Sequence, residues 1–252
     1  MLAQTQVARV EPRWREFLGR WPTPGDLAVV SLGELLVFWK GLGYPRRAAN
    51  LQRAAARIVA EHDGRVPDDV TALLTLPGVG PYTARAVVAF AFEGDVGVVD
   101  TNIARLLARV AGFSLTARQA QMMADDGVPV GMSWVWNQTL MDVGATLCRP
   151  TNPGCDRCPL TTSCAWHQGG NAALDPATGS AGVSVRQSAF EGSDRQGRGR
   201  ILERLGHSPA TMDELAEATR WWDDQGRLAR AIDGLCRDGL AEAVGDGYAL
   251  PN

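Results

Sequence analysis

The sequence predicts an all-α core followed by a small winged-helix-like α+β domain, and three observations carry that reading. Apolar residues recur at the three- and four-residue spacing of helices through most of the first 147 positions. Strand-like alternation is almost absent there, and clusters of Pro, Gly and Asp cut the pattern into short segments. Only the end of the chain reads as extended, where Ala241-Glu242-Ala243-Val244, a Gly245-Asp246-Gly247 turn and Tyr248-Ala249-Leu250 follow in hairpin order.

Taken in order, helices are expected from Val7 to Leu18, Leu27 to Trp39, Ala48 to Val59, Val70 to Leu76, Tyr82 to Phe92 and Ile103 to Val110. Trp21-Pro22-Thr23-Pro24-Gly25, Gly41-Leu42-Gly43 and His62-Asp63-Gly64 supply stops and starts between them. A second helical group, Thr116 to Ala124 and Ser133 to Leu147, leads into a loop with four of the five cysteines. From Gly169 to Gly199 the composition turns to Gly, Ala, Ser and Asp with few bulky residues, so this stretch is expected to be a partly disordered linker. Helical patterns return at Arg200 to Leu205, Met212 to Thr219 and Arg227 to Leu235. With the terminal hairpin they make the three-helix pattern of a winged helix. The expected division is a main domain over 1–168, a linker over 169–199 and a winged-helix-like domain over 200–252.

Composition narrows the functional classes. The longest apolar stretch, Ala84 to Phe92, contains Arg85 and is too short to cross a bilayer, so no membrane partner is expected. The first residues, MLAQTQVARVEP, lack the basic start and long apolar run of a secretory signal. The expected location is therefore cytoplasmic and the state monomeric, with cysteines serving as thiols or metal ligands and not as disulfides. A net charge of −3 does not mark a nucleic-acid binder. The charge is split, however: residues 1–170 hold 16 Lys+Arg against 15 Asp+Glu, and residues 171–252 hold 9 against 13. Lys40 is the sole lysine in the chain.

Three constellations carry chemistry. Cys148, Cys155, Cys158 and Cys164 follow a Cx6CxxCx5C spacing among Pro150, Pro153, Gly154 and Pro159. Four thiolates so placed can meet at one centre, and both tetrahedral zinc and a four-iron cluster accept such ligands, so spacing alone leaves the two open. Cys236 stands apart on an apolar helix face and reads as a small core residue. Val70 to Phe92 reads as helix, tight hairpin and helix, with Gly78 and Gly80 in the Leu76-Pro77-Gly78-Val79-Gly80 turn. The amides at the start of its second helix suit a DNA phosphate, although an ordinary helical hairpin would look the same. Finally, Asp100 in Val98-Val99-Asp100-Thr101-Asn102 follows an apolar run and opens a helix. It is expected as an N-cap, and a carboxylate fixed near a phosphate backbone can also stabilise positive charge on a deoxyribose.

In this order the motifs resemble the helix-hairpin-helix DNA glycosylase superfamily over residues 1–167, and its iron-sulfur adenine glycosylases above all. MLAQTQV at 1–7 and GLGYPRRAANL at 41–51 are similar to that family's two DNA-wedging segments, LPGVGPYTA at 76–84 to its hairpin and VVDTN at 98–102 to the segment with its catalytic aspartate. The resemblance implies a helix-hairpin-helix glycosylase core closed by a [4Fe-4S] cluster on Cys148, Cys155, Cys158 and Cys164. It implies Asp100 as the catalytic carboxylate, Asn102 as its orienting partner, and Gln4, Gln6 and Tyr44 as DNA contacts beside Gly78 and Gly80. Bifunctional relatives that resemble endonuclease III carry a Schiff-base lysine where this chain has Tyr82. The implied activity is therefore monofunctional: hydrolysis of the N-glycosidic bond of adenine opposite guanine or 8-oxoguanine in double-stranded DNA. A glycosylase for another damaged base and an inactive cluster-bearing DNA binder are the alternatives.

The chain departs from the family twice. Adenine glycosylases carry a general-acid glutamate upstream of the MLAQTQV-like segment, which here begins at Met1, and Glu11 and Glu16 lie roughly 15 Å or more down the helix. A natural start upstream is expected, and slow excision by residues 1–252 alone. The tail is also too short and too helical for the hydrolase-like β-domain that reads 8-oxoguanine. Arg227, Arg230 and Arg237 could contact DNA, but the tail's charge favours a structural or protein-binding role.

Overall fold

The computed structural model describes every residue except 3–4, 172–173 and 184–188. Among the described residues the chain is helical apart from a small sheet at its end. Helix α1 (Val7–Arg20) is followed by α2 (Pro24–Val29), α3 (Leu32–Phe38) and α4 (Arg46–Glu61). The single helix expected from Leu27 to Trp39 is thus two. Val30 and Ser31 are extended, and the Ser31 hydroxyl accepts from the Glu34 amide and starts α3 afresh. An apolar period that continues across a turn hides such a break. Thr23 and Asp26 form a reciprocal capping box that starts α2.

Next come α5 (Val70–Leu74), α6 (Pro81–Ala91), α7 (Thr101–Ala111), α8 (Ala117–Asp126) and α9 (Ser133–Thr146). Two single 3-10 turns, Cys155–Arg157 and Thr161–Ser163, lie in the cysteine loop before the short α10 (Ala165–Gln168). The tail contains α11 (Asp194–Leu205), α12 (Met212–Thr219) and α13 (Gln225–Arg237). Strands β1 (Ala210–Thr211), β2 (Glu242–Val244) and β3 (Gly247–Ala249) form an antiparallel sheet in the order β1-β3-β2. The hairpin is the expected one, with Ala243 opposite Tyr248; β1, only two residues long, carries no readable alternation.

Two compact units emerge, and they are not the sequential domains expected. One comprises Met1–Pro67, Leu76–Gly78 and Gln187–Asn252; the other Asp68–Thr75 and Val79–Arg186. In the first unit the tail shares one apolar core with the N-terminal helices. Leu35, Leu36, Phe38 and Ala48 are buried together with Ile201, Leu215, Leu228 and Leu235. Phe17, Trp21 and Phe38 meet at ring separations of 5.2–5.9 Å beside it. The chain end also closes on α3, where the Gly33 amide donates to the Pro251 carbonyl at 2.7 Å. Burial of this kind gives the tail a structural role. Arg227, expected to be available for DNA, stacks on Trp221 and pairs with Asp194 at 2.6 Å.

The core of the second unit is Ile103, Leu106 and Leu107 of α7, Ala120 and Ala124 of α8, and Leu140 and Val143 of α9. Part of the expected linker belongs to this unit. Residues 175–181 are bonded to α7 and to Ser114 and Leu115, with Ala177 and Ser180 buried. Small residues there do not signal a loose chain, because they let the backbone lie close against its neighbours. At the other end of the stretch α11 starts at Asp194, six residues before the expected Arg200, capped by Ser193.

Candidate functional site

Asp100 is the N-cap of α7. Its Oδ1 accepts from the amides of Asn102 at 2.9 Å and Ile103 at 2.7 Å, while Oδ2 accepts from Asn102 Nδ2 at 3.1 Å. Arg105 Nη2 donates to Asn102 Oδ1 at 2.8 Å, and this sets the amide so that its NH2 must face Asp100. Arg105 itself is 4% exposed and is fixed by the carbonyls of Gly144 and Cys148, both at 2.7 Å. The carboxylate is thereby held in one orientation at the positive end of a helix, with Oδ2 the less encumbered oxygen. Such a group can stabilise a cation without reorganising as the charge develops.

The approach of α9 makes this possible. A Cβ on Gly144 would stand 2.8 Å from Asn102 Cβ and 3.0 Å from its carbonyl carbon and oxygen, so only glycine lets the helices come this close. The backbone leading into Asp100 is held from below by the buried Asn137: its Oδ1 accepts from the Val98 amide at 2.8 Å and its Nδ2 donates to the Val96 carbonyl at 2.9 Å.

Tyr82 sits in the first turn of α6, 43% exposed. Burial of part of the ring pushes the phenol above its ordinary pKa, and the Asp100 carboxylate pushes it further. The hydroxyl is therefore a neutral hydrogen-bond donor. Gly80 caps this helix without a side-chain bond, and no acidic residue occupies the first turn, so the leading amides carry the full positive end of the dipole. The two hairpin glycines have different reasons. Gly78 adopts φ +78, and a Cβ there would strike Asn50 at 2.6 Å. Gly80 is extended and a Cβ would meet nothing, so the sharp turn expected of both falls on Gly78 alone.

The two expected wedging segments belong to the first unit. Gln4 lies outside the described residues, and Gln6 is exposed at the start of α1. Tyr44 is half-exposed in the left-handed region, φ 48, a strained state for a bulky residue of the kind that gathers at binding sites. Arg195 donates to its hydroxyl at 3.3 Å. Arg47, which the sequence reading passed over, joins the two segments. It donates to the Met1 carbonyl, Thr5 Oγ1 and the carbonyls of Leu42 and Gly43 at 2.7–2.9 Å. Glu11 and Glu16 are bound up in ion pairs with Arg15, Arg13 and Arg20 on the exposed side of α1, and Lys40 pairs with Glu203 at 2.8 Å.

Cys148, Cys155, Cys158 and Cys164 line one cavity with Arg109, Trp166 and His167, and none of the five cysteines is in a disulfide. Among the described residues, no three His, Cys, Asp or Glu side chains are drawn together as a group able to hold a single metal ion. Two features fit a polynuclear sulfur centre in the ring of thiols. Arg109, 2% exposed, donates to Cys148 Sγ at 3.3 Å, and the buried His167 Nδ1 in the cavity wall has no partner among the described residues. Burial pushes the Cys148 thiol up, while Arg109 favours the thiolate that a metal would require. Cys236 is half-buried against the first core, as a small packing residue.

Arg105, Arg109, Asn137 and Gly144 escaped the sequence reading because each looks ordinary on its own helix face. Arg105 and Arg109 did offer a signal, since they fall at core positions of the α7 repeat. No helix among the described residues is long and apolar enough to cross a membrane.

Comparison with known proteins agrees with this geometry. Residues 1–126 match the HhH-GPD superfamily of base excision DNA repair proteins. An adenine DNA glycosylase of Mycolicibacterium smegmatis is 40% identical over 255 residues, covering 99% of this chain and 84% of that protein. Among solved structures, a thermostable thymine-DNA glycosylase aligns with a TM-score of 0.63 at 29% identity over 67% of this chain and 80% of that one. A non-covalent endonuclease III–DNA complex aligns at 0.60 and 27% identity over 68% of this chain and 82% of that one. The chain therefore belongs to the helix-hairpin-helix superfamily of base excision DNA repair proteins and, within it, to the adenine DNA glycosylase family.

Proposed function

We propose that this protein is a monofunctional DNA glycosylase that hydrolyses the N-glycosidic bond of adenine paired with guanine or 8-oxoguanine in double-stranded DNA. The observation that carries the proposal is the Asp100 carboxylate, locked by Asn102 and the α7 amides, with Tyr82 where a lyase would need an amine. As the C1′–N9 bond breaks, its electron pair leaves with the base, which takes up a proton. The Asp100 anion stabilises the positive charge left on the sugar, and water adds to C1′ and loses a proton. The neutral Tyr82 hydroxyl supports the same charge distribution by hydrogen bonding. The uncapped start of α6 and the open face of Gly80 hold a phosphate, Gln4 and Tyr44 enter the space vacated by the flipped base, and Gln6 is a further DNA contact. Arg47, by tying Met1 and Thr5 to Leu42 and Gly43, couples the two wedging segments.

The cysteine ring is assigned to a [4Fe-4S] cluster on Cys148, Cys155, Cys158 and Cys164, which when bound cross-links the 148–164 loop. We further propose that the protein acts as a monomer in the cytoplasm, a reading that the free cysteines support.

The test is single-turnover excision on a duplex with adenine opposite 8-oxoguanine, with abasic sites revealed by alkali. Adenine release without strand scission is expected, with no borohydride-trapped adduct. Asp100→Asn should lower the rate by about 10²–10³-fold, the scale of losing one preorganised electrostatic group. Excision unaffected by that change would remove Asp100 from the chemistry. Tight binding of the mispair without excision would favour an inactive DNA binder.

A further inference from the structure

The segment after the cysteine loop has a second use for the buried arginine of α7. We propose that residues 174–183 form a strap in which Asp175 is a positioning residue, holding Arg109 against the Cys148 sulfur and thereby slowing loss of the metal centre. The proposal rests on the cluster reading above.

Arg109 has five N–H donors, and each has an acceptor. Nε and Nη2 hold the two oxygens of Asp175 at 3.1 and 2.7 Å; Nη1 serves Cys148 Sγ at 3.3 Å and the Arg149 carbonyl at 2.8 Å; Nη2 also serves the Pro150 carbonyl at 3.3 Å. Its plane stacks on Trp166 at 4.7 Å, and its own carbonyl accepts from Cys164 Sγ. The side chain thus touches Cys148, the start of the loop and α10, and the Arg109 backbone meets Cys164 at the far end of the loop. A guanidinium 2% exposed needs a counter-charge, and in this network the carboxylate comes from Asp175. Two parallel bonds also set the rotation of the guanidinium plane, which decides whether Nη1 reaches the sulfur.

Asp175 in turn is held by its strap. The Ala177 amide donates to it at 3.0 Å, Ser180 Oγ receives the Leu115 amide at 3.1 Å, and the Ala181 amide donates to the Leu115 carbonyl at 2.9 Å. Ser114 Oγ binds the Pro176 carbonyl at 3.0 Å. The strap is therefore pinned to α7 at one place and to residues 114–115 at another, with Arg109 between it and the cysteines.

The full chain, purified without oxygen, is to be followed for iron release to a ferrous chelator under dithionite. Partners that orient metal ligands change metal retention by about 10–100-fold, and Asp175→Asn is expected to speed release within that range. Asp175→Glu should restore slow release, because the charge pair survives. If Asp175 acts through Arg109, Asp175→Asn should add nothing to Arg109→Lys. Ser180→Ala, which loosens the strap without touching Arg109, should give a smaller acceleration and keeps the idea testable should the other variants fold poorly. Unchanged release in both Asp175→Asn and Ser180→Ala, or effects of Asp175→Asn and Arg109→Lys that multiply, would overturn the proposal. Wild-type protein without iron from the outset would instead overturn the cluster reading, and this proposal with it.

Discussion

Gly144→Ala offers a direct test of how Asp100 is held. The added methyl would stand 2.8 Å from Asn102 Cβ and 3.0 Å from its carbonyl group, against about 3.5–4.0 Å for relaxed carbon contacts. Two of the three atoms are backbone and cannot rotate away, so the start of α7 must move by about 0.5–1 Å relative to α9. Overpacking of this kind costs about 1–3 kcal/mol. For a chain of this size each kcal/mol lowers Tm by about 2–4 °C, giving a fall of about 2–12 °C. The same displacement carries Asn102 and Asp100 with it, and misplacing a reacting group by about 1 Å costs up to about 10²-fold in rate. Thermal unfolding and single-turnover excision on the same preparation measure both. A lower Tm with an unchanged rate would show that the position of Asp100 does not depend on the α7–α9 approach. No change in either would refute the packing argument itself.

Other expectations follow from the same contacts. Asn137→Ala strands the buried Val98 amide and leaves the Val96 carbonyl with Ser133 Oγ alone, so a loss of about 1–3 kcal/mol in denaturant unfolding is expected, with slower excision; Asn137→Asp, which keeps the acceptor for Val98, should keep more of both. Burial opposes ionisation of Asp175, but Arg109 and the Ala177 amide hold its carboxyl below the ordinary range. A lowered folded value means stability that is complete above the ordinary carboxylate range and lost as pH falls through it. Melting temperature should therefore drop more steeply below about pH 4 in wild type than in Asp175→Asn, and parallel curves would contradict the pairing. Cys148→Ser should abolish iron binding and loosen the 148–164 loop to protease, while Cys236→Ser should leave iron content unchanged; equal effects would refute the assignment of ligands.

The sequence by itself determined the helical class, the place of most helices and the tail hairpin, and it singled out Asp100, Tyr82, Asn102 and the four cysteines as candidates. The elements were legible because they depend on local rules, namely amphipathic period, capping at Asp100 and a Pro-Gly turn, whereas the candidates' roles rest on cysteine spacing and on resemblance to a family. Only the tertiary structure decided what surrounds them. The break at Ser31 lay inside an unbroken apolar period, and the two-unit division joins the tail to helices more than 150 residues away through buried Ile201, Leu215 and Leu228. Arg105, Arg109, Asn137 and Asp175 became partners of the site because helices approach at Gly144 and a small-residue segment lies close against α7. Burial and hydrogen-bond partners across such separations are set by packing, and no local pattern encodes which arginine on a helix will find its carboxylate 66 residues on.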